Sequence, residues 1–300
     1  MIRDSSDFRA VLWVALAASV LTVELLYPRT ILFLIWPGCY LALAAGVVTH
    51  NHKHCPTFCS KALNQLWDCT LSVFYGFPVF ARVPTHNENH HRFVDRPGDE
   101  TATWQLGNRH DPIRAAAYSF VSSYHQSRLI RDFLRNARRS NPNVYRGALA
   151  QYGVLSGAHI AAIAVGVLRH GWVTGLSAWI CAMVVPAAFG LWTIMFFKYE
   201  QHVHANSWSD FDDSRNFIGP VINFLLFNNG YHTAHHRNPG LHWSRLPEAH
   251  SLIAARIQPD LIQPNALSYL LRQYVWAPLG FAIGTRQLGG SPHEAPAVRS

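Results

Sequence analysis

Four long apolar runs dominate the pattern of hydrophobic and polar positions along the chain. Val11 to Tyr27 carries one acid, Glu24, near its far end, and Ile31 to Val48 carries no charge at all. Gly147 to Leu168 and Trp172 to Phe197 are similar, with His159 the one ionisable side chain of note inside them. Each run is about the 20 residues that a helix needs to cross the hydrocarbon layer of a membrane. The pattern therefore predicts transmembrane helices over about 9–27, 31–49, 147–168 and 172–198. Pro28-Arg29-Thr30 joins the first two and Arg169-His170-Gly171 joins the last two, so both pairs read as tight hairpins.

Two hairpins place the N-terminus, the central segment and the C-terminal segment on one side of the membrane. The central segment, His50 to Arg146, holds 13 Lys and Arg residues, which by the positive-inside rule makes that side cytoplasmic. The expected architecture is an all-α integral membrane protein. Its four transmembrane helices form two hairpins, and a cytoplasmic helical cap carries the polar chemistry. One domain is expected over 1–286, and the Gly- and Pro-containing tail 287–300 is expected to be disordered. Reading the first run as a signal peptide flanked by Arg3 and Arg9 is the alternative. Cleavage would then leave the first histidine cluster across the membrane from the others, which favours a true span.

Between the spans the pattern changes. Ala62 to Phe80 is apolar but broken by Asp68, Gly76 and Pro78, as suits an interfacial or buried helix. Arg128, Arg131, Arg135, Arg138 and Arg139 interleave with Leu129, Phe133 and Leu134 at near-helical spacing, predicting an amphipathic helix on the membrane surface. A net charge of +8 fits this cytoplasmic bias beside anionic headgroups and carries no nucleic-acid signature. The five cysteines are odd in number and contain no Cys-x-x-Cys pair, so reduced thiols fit better than a disulfide framework.

The chemistry lies in 18 histidines, most of them clustered just outside the apolar runs. Neutral imidazole is a good ligand for iron, zinc and copper. Helical spacing turns His50 and His54 the same way, with His52 nearly opposite. His86 and His90 form a second such pair, and His91 is turned toward a neighbouring metal. His232 has His235 and His236 within about one turn. Eight such ligands, with one more from His202 or His204, are too many for one ion and suit two. Carboxylates are scarce among them, unlike the di-iron sites of soluble helix bundles. Glu88 and Glu200 are expected to orient imidazole N–H groups, with solvated acids as the alternative. A metal transporter would carry its ligands within the spans, where only His159 sits.

The order His50-x-x-x-His54, His86-x-x-x-His90-His91, His232-x-x-His235-His236 resembles the membrane fatty-acid desaturase and hydroxylase superfamily, from about His50 to His250. The resemblance implies two irons that activate oxygen, held by those eight histidines. Zinc can occupy such sites in purified samples. It also implies an accessory ligand after the last span, His202, with His204 as the alternative. Some members place Asn four residues earlier, where this chain has Lys198. Pro239-Gly-Leu-His242-Trp243 is similar to bacterial members, implying a bacterial inner membrane. The implied reaction removes hydrogen from an acyl chain on a lipid, an acyl carrier protein or CoA, giving an alkene, or through related chemistry an alcohol, an alkyne or a decarboxylated product. No haem, four-Cys or dinucleotide signature is present in the chain, so an external donor such as a ferredoxin or rubredoxin is inferred.

Overall fold

The computed structural model describes residues 1–290, 292 and 293. Helix accounts for 72% of it, and the named strands among the described residues are two residues long, so the all-α expectation holds. In chain order the helices are α1 (Asp7–Leu26), α2 (Ile31–His54), α3 (Lys61–Tyr75), α4 (His91–Phe93), α5 (Pro112–Ser140) and α6 (Pro142–His170). They continue with α7 (Trp172–Trp179), α8 (Val185–His202), α9 (Pro220–Leu225), α10 (His232–Arg237), α11 (Leu246–Ile253) and α12 (Ala266–Leu271). The chain divides into two units, Met1–Arg82 with Arg131–Ile194, and Val83–Ile130 with Met195–Ser300. The dividing points at 130/131 and 194/195 fall inside α5 and α8.

Among the described residues, four helical stretches are long and apolar enough to cross a membrane: Asp7–Leu26, Pro28–His54, Pro142–His170 and Trp172–His202. They coincide with the four predicted runs. Phe33, Trp36, Leu168 and Val173 are 71–86% exposed, an arrangement that suits hydrocarbon and not water. The turn between α1 and α2 is a single 3₁₀ turn, Pro28–Thr30. Pro28 sits at its first position, where the missing N–H costs nothing.

In the first unit the helices approach closely through glycine. A Cβ on Gly175 of α7 would lie 2.4 Å from the carbonyl carbon of Gly166 on α6, so the backbones of this hairpin touch with no side chain between them. Gly190 of α8 meets the backbone of Ala42 in α2 in the same way, at 2.9 Å. The fourth span is not a uniform α-helix. Ile180–Val184 forms a π-turn just before Pro186. Proline has no N–H and its ring crowds the carbonyl four residues back, which the looser turn relieves. The broken stretch 62–80 yields α3, too short to span. Ser60 caps it by accepting the Leu63 N–H, and Gly76 ends it at φ +80°. The arginine-rich face is exposed along α5, with Ala137 buried and Phe133 stacked on Phe80 at 6.0 Å.

The second unit is built of short helices and loops. A π-helical segment, Val83–His90, leads into α4, and the end of α8, α10 and the remaining short helices complete it. Asn216–Phe217 pairs in parallel with Ile262–Gln263 and pins the stretch before α9 to the C-terminal region. The apolar segment Asn216–Phe227 is thus a strand followed by α9. Gln287 and Leu288 hydrogen-bond to Ala205 and His204. Of the tail expected to be disordered, residues 291 and 294–300 lie outside the described residues.

Close backbone approach predicts a sharp contrast. Gly190→Leu should destabilise the detergent-purified protein by about 1–3 kcal/mol or prevent its folding. Gly147→Leu, whose Cβ would meet nothing within 4 Å, should leave it unchanged. Thermal melts of the two variants side by side test this.

Candidate metal centre

The second histidine cluster lies on the π-helical segment Val83–His90 and its α-helical continuation. A π-turn pairs residues five apart, which brings His91 back to His86. Their Nε2 atoms are 3.1 Å apart, and His91 Nε2 is also 3.1 Å from His235 Nε2. His86 and His90 stay stacked, ring centroids 5.2 Å apart, but their ligand nitrogens fall in different groups. His86 joins His91 and His235, while His90 turns to a different set.

That set is His90, His202, His232 and His236, whose candidate ligand nitrogens all lie within 4.8 Å of one another. Three different stretches of chain supply it: the π-helical segment, the last residue of α8, and α10. His232 and His236 are one helical turn apart with ring centroids at 4.5 Å, and His235 points to the other side. His202 closes the group, with centroids 4.7–5.0 Å from those of His90, His232 and His236.

Three of the four imidazoles have an aspartate behind them. His90 Nδ1 donates to Asp99 Oδ2 at 2.7 Å, and both side chains are fully buried. Asp99 also accepts from the Asp95 N–H, the Thr101 N–H and the Thr101 hydroxyl. Burial alone would raise the pKa of this carboxyl, but His90, Lys198 and those donors hold it well below the usual range. An ionised Asp99 keeps the proton of His90 on Nδ1 and leaves the Nε2 lone pair facing inward. Asp213 serves twice. Its backbone carbonyl accepts from His202 Nδ1 at 3.1 Å, and its Oδ2 lies 3.3 Å from His236 Nδ1.

Burial, followed by the charge of Lys198, pushes the pKa of His90 down to about 4, against the stabilising pull of Asp99. His232 is held well below the ordinary histidine range by burial and by neighbouring imidazoles. At neutral pH both rings are uncharged, the form that binds metal. Nε2 of His90 and Nε2 of His236 are buried with no hydrogen-bond partner. His202 Nε2 and His232 Nε2 face each other at 3.0 Å. Two nitrogens bound about 2.0–2.1 Å from one ion at near-right or tetrahedral angles are about 2.9–3.4 Å apart. A first-row transition-metal ion fits this donor set.

Of the remaining expected residues, His52, His204, Glu88 and Glu200 are directed elsewhere. His50 and His54 stand together at the end of α2, ring centroids 4.9 Å apart, in the first unit. His52 faces away, as its spacing predicts, toward Thr57 and Asp68. His204 is not directed at the imidazole group, because it bonds Thr285 and the Asn108 carbonyl. Glu88 is exposed, so the orienting role expected of it falls to Asp99. Glu200 is fully buried, but it takes Tyr269, Tyr274 and His110 and no ligand imidazole. Lys198 reaches the Thr101 carbonyl and lies over the Tyr118 ring. It faces Asp95 and Asp99 and takes no place among the four imidazoles.

Sequence reasoning missed Asp99, Asp213 and His110. Asp99 closes the turn Arg96-Pro97-Gly98-Asp99. That turn bends the chain back so that Asp99 meets His90, with Val94 and Asp95 at φ +46° and +62°. Such a conformation is costly for a β-branched residue and is held here by the Asp99 bonds.

The family description "Fatty acid desaturase" matches residues 26–264. The chain belongs to the fatty acid desaturase family. The matched range runs from the end of α1 through all the clustered histidines to the strand before α12. This desaturase-family chain is an integral membrane protein of a family of oxidoreductases acting on fatty acids. No curated protein and no solved structure matches it closely.

Two outcomes are expected here. Asp99→Asn should weaken metal retention against a chelator by about 10–100-fold, read as metal content after dialysis. In metal-free protein, His90 stays neutral in the fold down to about pH 4. When unfolded it titrates near its ordinary value of about 6.5. The unfolded chain binds the extra proton between those values, so stability should fall as pH drops from about 6.5 toward about 4. His90→Gln should flatten that slope in denaturant titrations.

Proposed function

We propose that this protein is a membrane-bound, oxygen-dependent fatty-acyl desaturase using two histidine-held irons. The observation that carries the reading is the convergence of His90, His202, His232 and His236, drawn from three stretches of chain and each buried beside its neighbours. His86, His91 and His235 hold the second ion, and the box order of the family supports adding His50 and His54 to it. When bound, the irons supply the oxidising power to break an unactivated C–H bond.

The chain's own residues do the rest. Asp99 and the Asp213 carbonyl hold His90 and His202 in the tautomer that presents a lone pair, and the Asp213 carboxylate lies 3.3 Å from His236 Nδ1. Burial of the rings keeps water from the reacting centre. Two hydrogens from the acyl chain, two electrons from the donor and two protons from solvent together reduce one O₂ to two waters. The acyl chain is left with one double bond. An acyl-lipid, acyl carrier protein or acyl-CoA carries the substrate. A ferredoxin- or rubredoxin-like protein supplies the electrons, and the exposed arginine face of α5 suits an acidic partner. The positive-inside rule supports cytoplasmic boxes and termini in a bacterial inner membrane. Hydroxylation, alkyne formation and decarboxylation on the same centre are the alternatives, because the outcome depends on where the target carbon sits.

Mass spectrometry of fatty acids and lipids from cells expressing the protein, with a suitable donor present, tests this. A product lighter by two hydrogens is expected, absent with His90→Ala or His236→Ala. Those variants should still insert in the membrane and should lose metal. A product heavier by one oxygen, or shorter by one carbon, would assign one of the alternatives. Full activity in either variant would overturn the metal assignment.

A further inference from the structure

The second unit contains a polar cavity of about 440 Å³ that no proposed metal ligand lines. Three guanidiniums, Arg215, Arg272 and Arg286, face it against one carboxylate, Asp260. Among the described residues, none of the three arginines forms an ion pair. Arg215 is 2% exposed and is held by backbone carbonyls of Glu200 and Val203 at the end of α8, over the ring of Tyr269 at 5.0 Å. Its Nε–H has no acceptor. The nearby Glu200 carboxylate is already taken by Tyr269, Tyr274 and His110.

A buried cation without a carboxylate is costly, and an anion in the adjoining cavity offsets that cost. Arg272 and Arg286 are exposed at the rim, and Arg272 spends one N–H on Gln263 Oε1 at 2.6 Å. Guanidinium forks match the paired oxygens of phosphate bidentately. The cavity volume falls within the range of sites for whole small molecules and exceeds the needs of a lone phosphate.

We propose that this cavity binds a phosphate ester, with Arg272 and Arg286 closing on the phosphate oxygens and Arg215 supplying buried positive charge beneath. The phosphate comes either from a soluble diphosphate-bearing compound or from a phospholipid headgroup. The site is independent of the desaturase reading, because Arg272 and Arg286 take no part in holding metal.

The test is calorimetric titration of the full-length, metal-loaded protein in uncharged detergent. One arm uses inorganic pyrophosphate and the other dihexanoyl phosphatidic acid below its aggregation concentration. Saturable binding at about 1 mM or tighter is expected in at least one arm. The double variant Arg272→Gln/Arg286→Gln should weaken it about tenfold or more, with metal content and melting temperature unchanged. Arg215 is left intact because it caps α8. Tighter binding of pyrophosphate assigns the soluble source, and tighter binding of the lipid assigns the headgroup. Unsaturable heats in both arms, or undiminished binding by the double variant, would overturn the proposal.

Discussion

Buried, uncharged imidazoles that turn their lone pairs on one another are the constraint around which the second unit is organised. Inward lone pairs on four such rings suit a cation among them, and desolvation keeps His90 and His232 from protonating instead. The arrangement could hold a metal ion. It also explains the acids nearby, which sit behind the rings and not among the ligands. Asp99 and Asp213 fix tautomers, so the negative charge lies one layer out, where it strengthens the imidazoles as donors.

Helix irregularity is used deliberately in this chain. The π-helical segment Val83–His90 gives His91 a partner five residues back and frees His90 for the other group. The π-turn at Ile180–Val184 serves a different end, relieving Pro186 within the fourth span. The span then continues as helix past the apolar run to His202, so the last residue of α8 is a metal-group histidine. Membrane insertion and ligand placement thus meet on one continuous element.

The apolar helices of the first unit obey membrane packing rules. Their contacts are made through glycine and backbone, at Gly166 with Gly175 and Gly190 with Ala42, while large apolar side chains point outward. Lipid supplies no hydrophobic force between helices, so close backbone contact must do the holding. The second unit has the opposite character. Its short helices are held by buried hydrogen bonds such as Asn223 to the Phe217 carbonyl and Arg215 to the end of α8.

The four spans, their tight hairpins and the short helix α3 were all legible in the sequence, because length, apolarity and helix-breaking residues are local properties. The three histidine boxes were legible too, since ligands on short helices must recur at fixed spacing. What local spacing cannot carry is how the histidines divide between groups. His86 and His90 keep stacked rings yet serve different groups, on a backbone that is π-helical there. His202 rather than His204 joined the cluster because α8 ends at His202 and His204 turns, at φ +62°, toward Asn108 and Thr285. The partners of the ligands were invisible for the same reason. Asp99 follows His90 by nine residues and Asp213 precedes His236 by twenty-three, and only the folded turns between them bring carboxylate to ring. Sequence alone determined the membrane spans and the metal-binding residue types, and tertiary structure decided which imidazoles gather in which group, because ring direction is set by contacts distant in the chain.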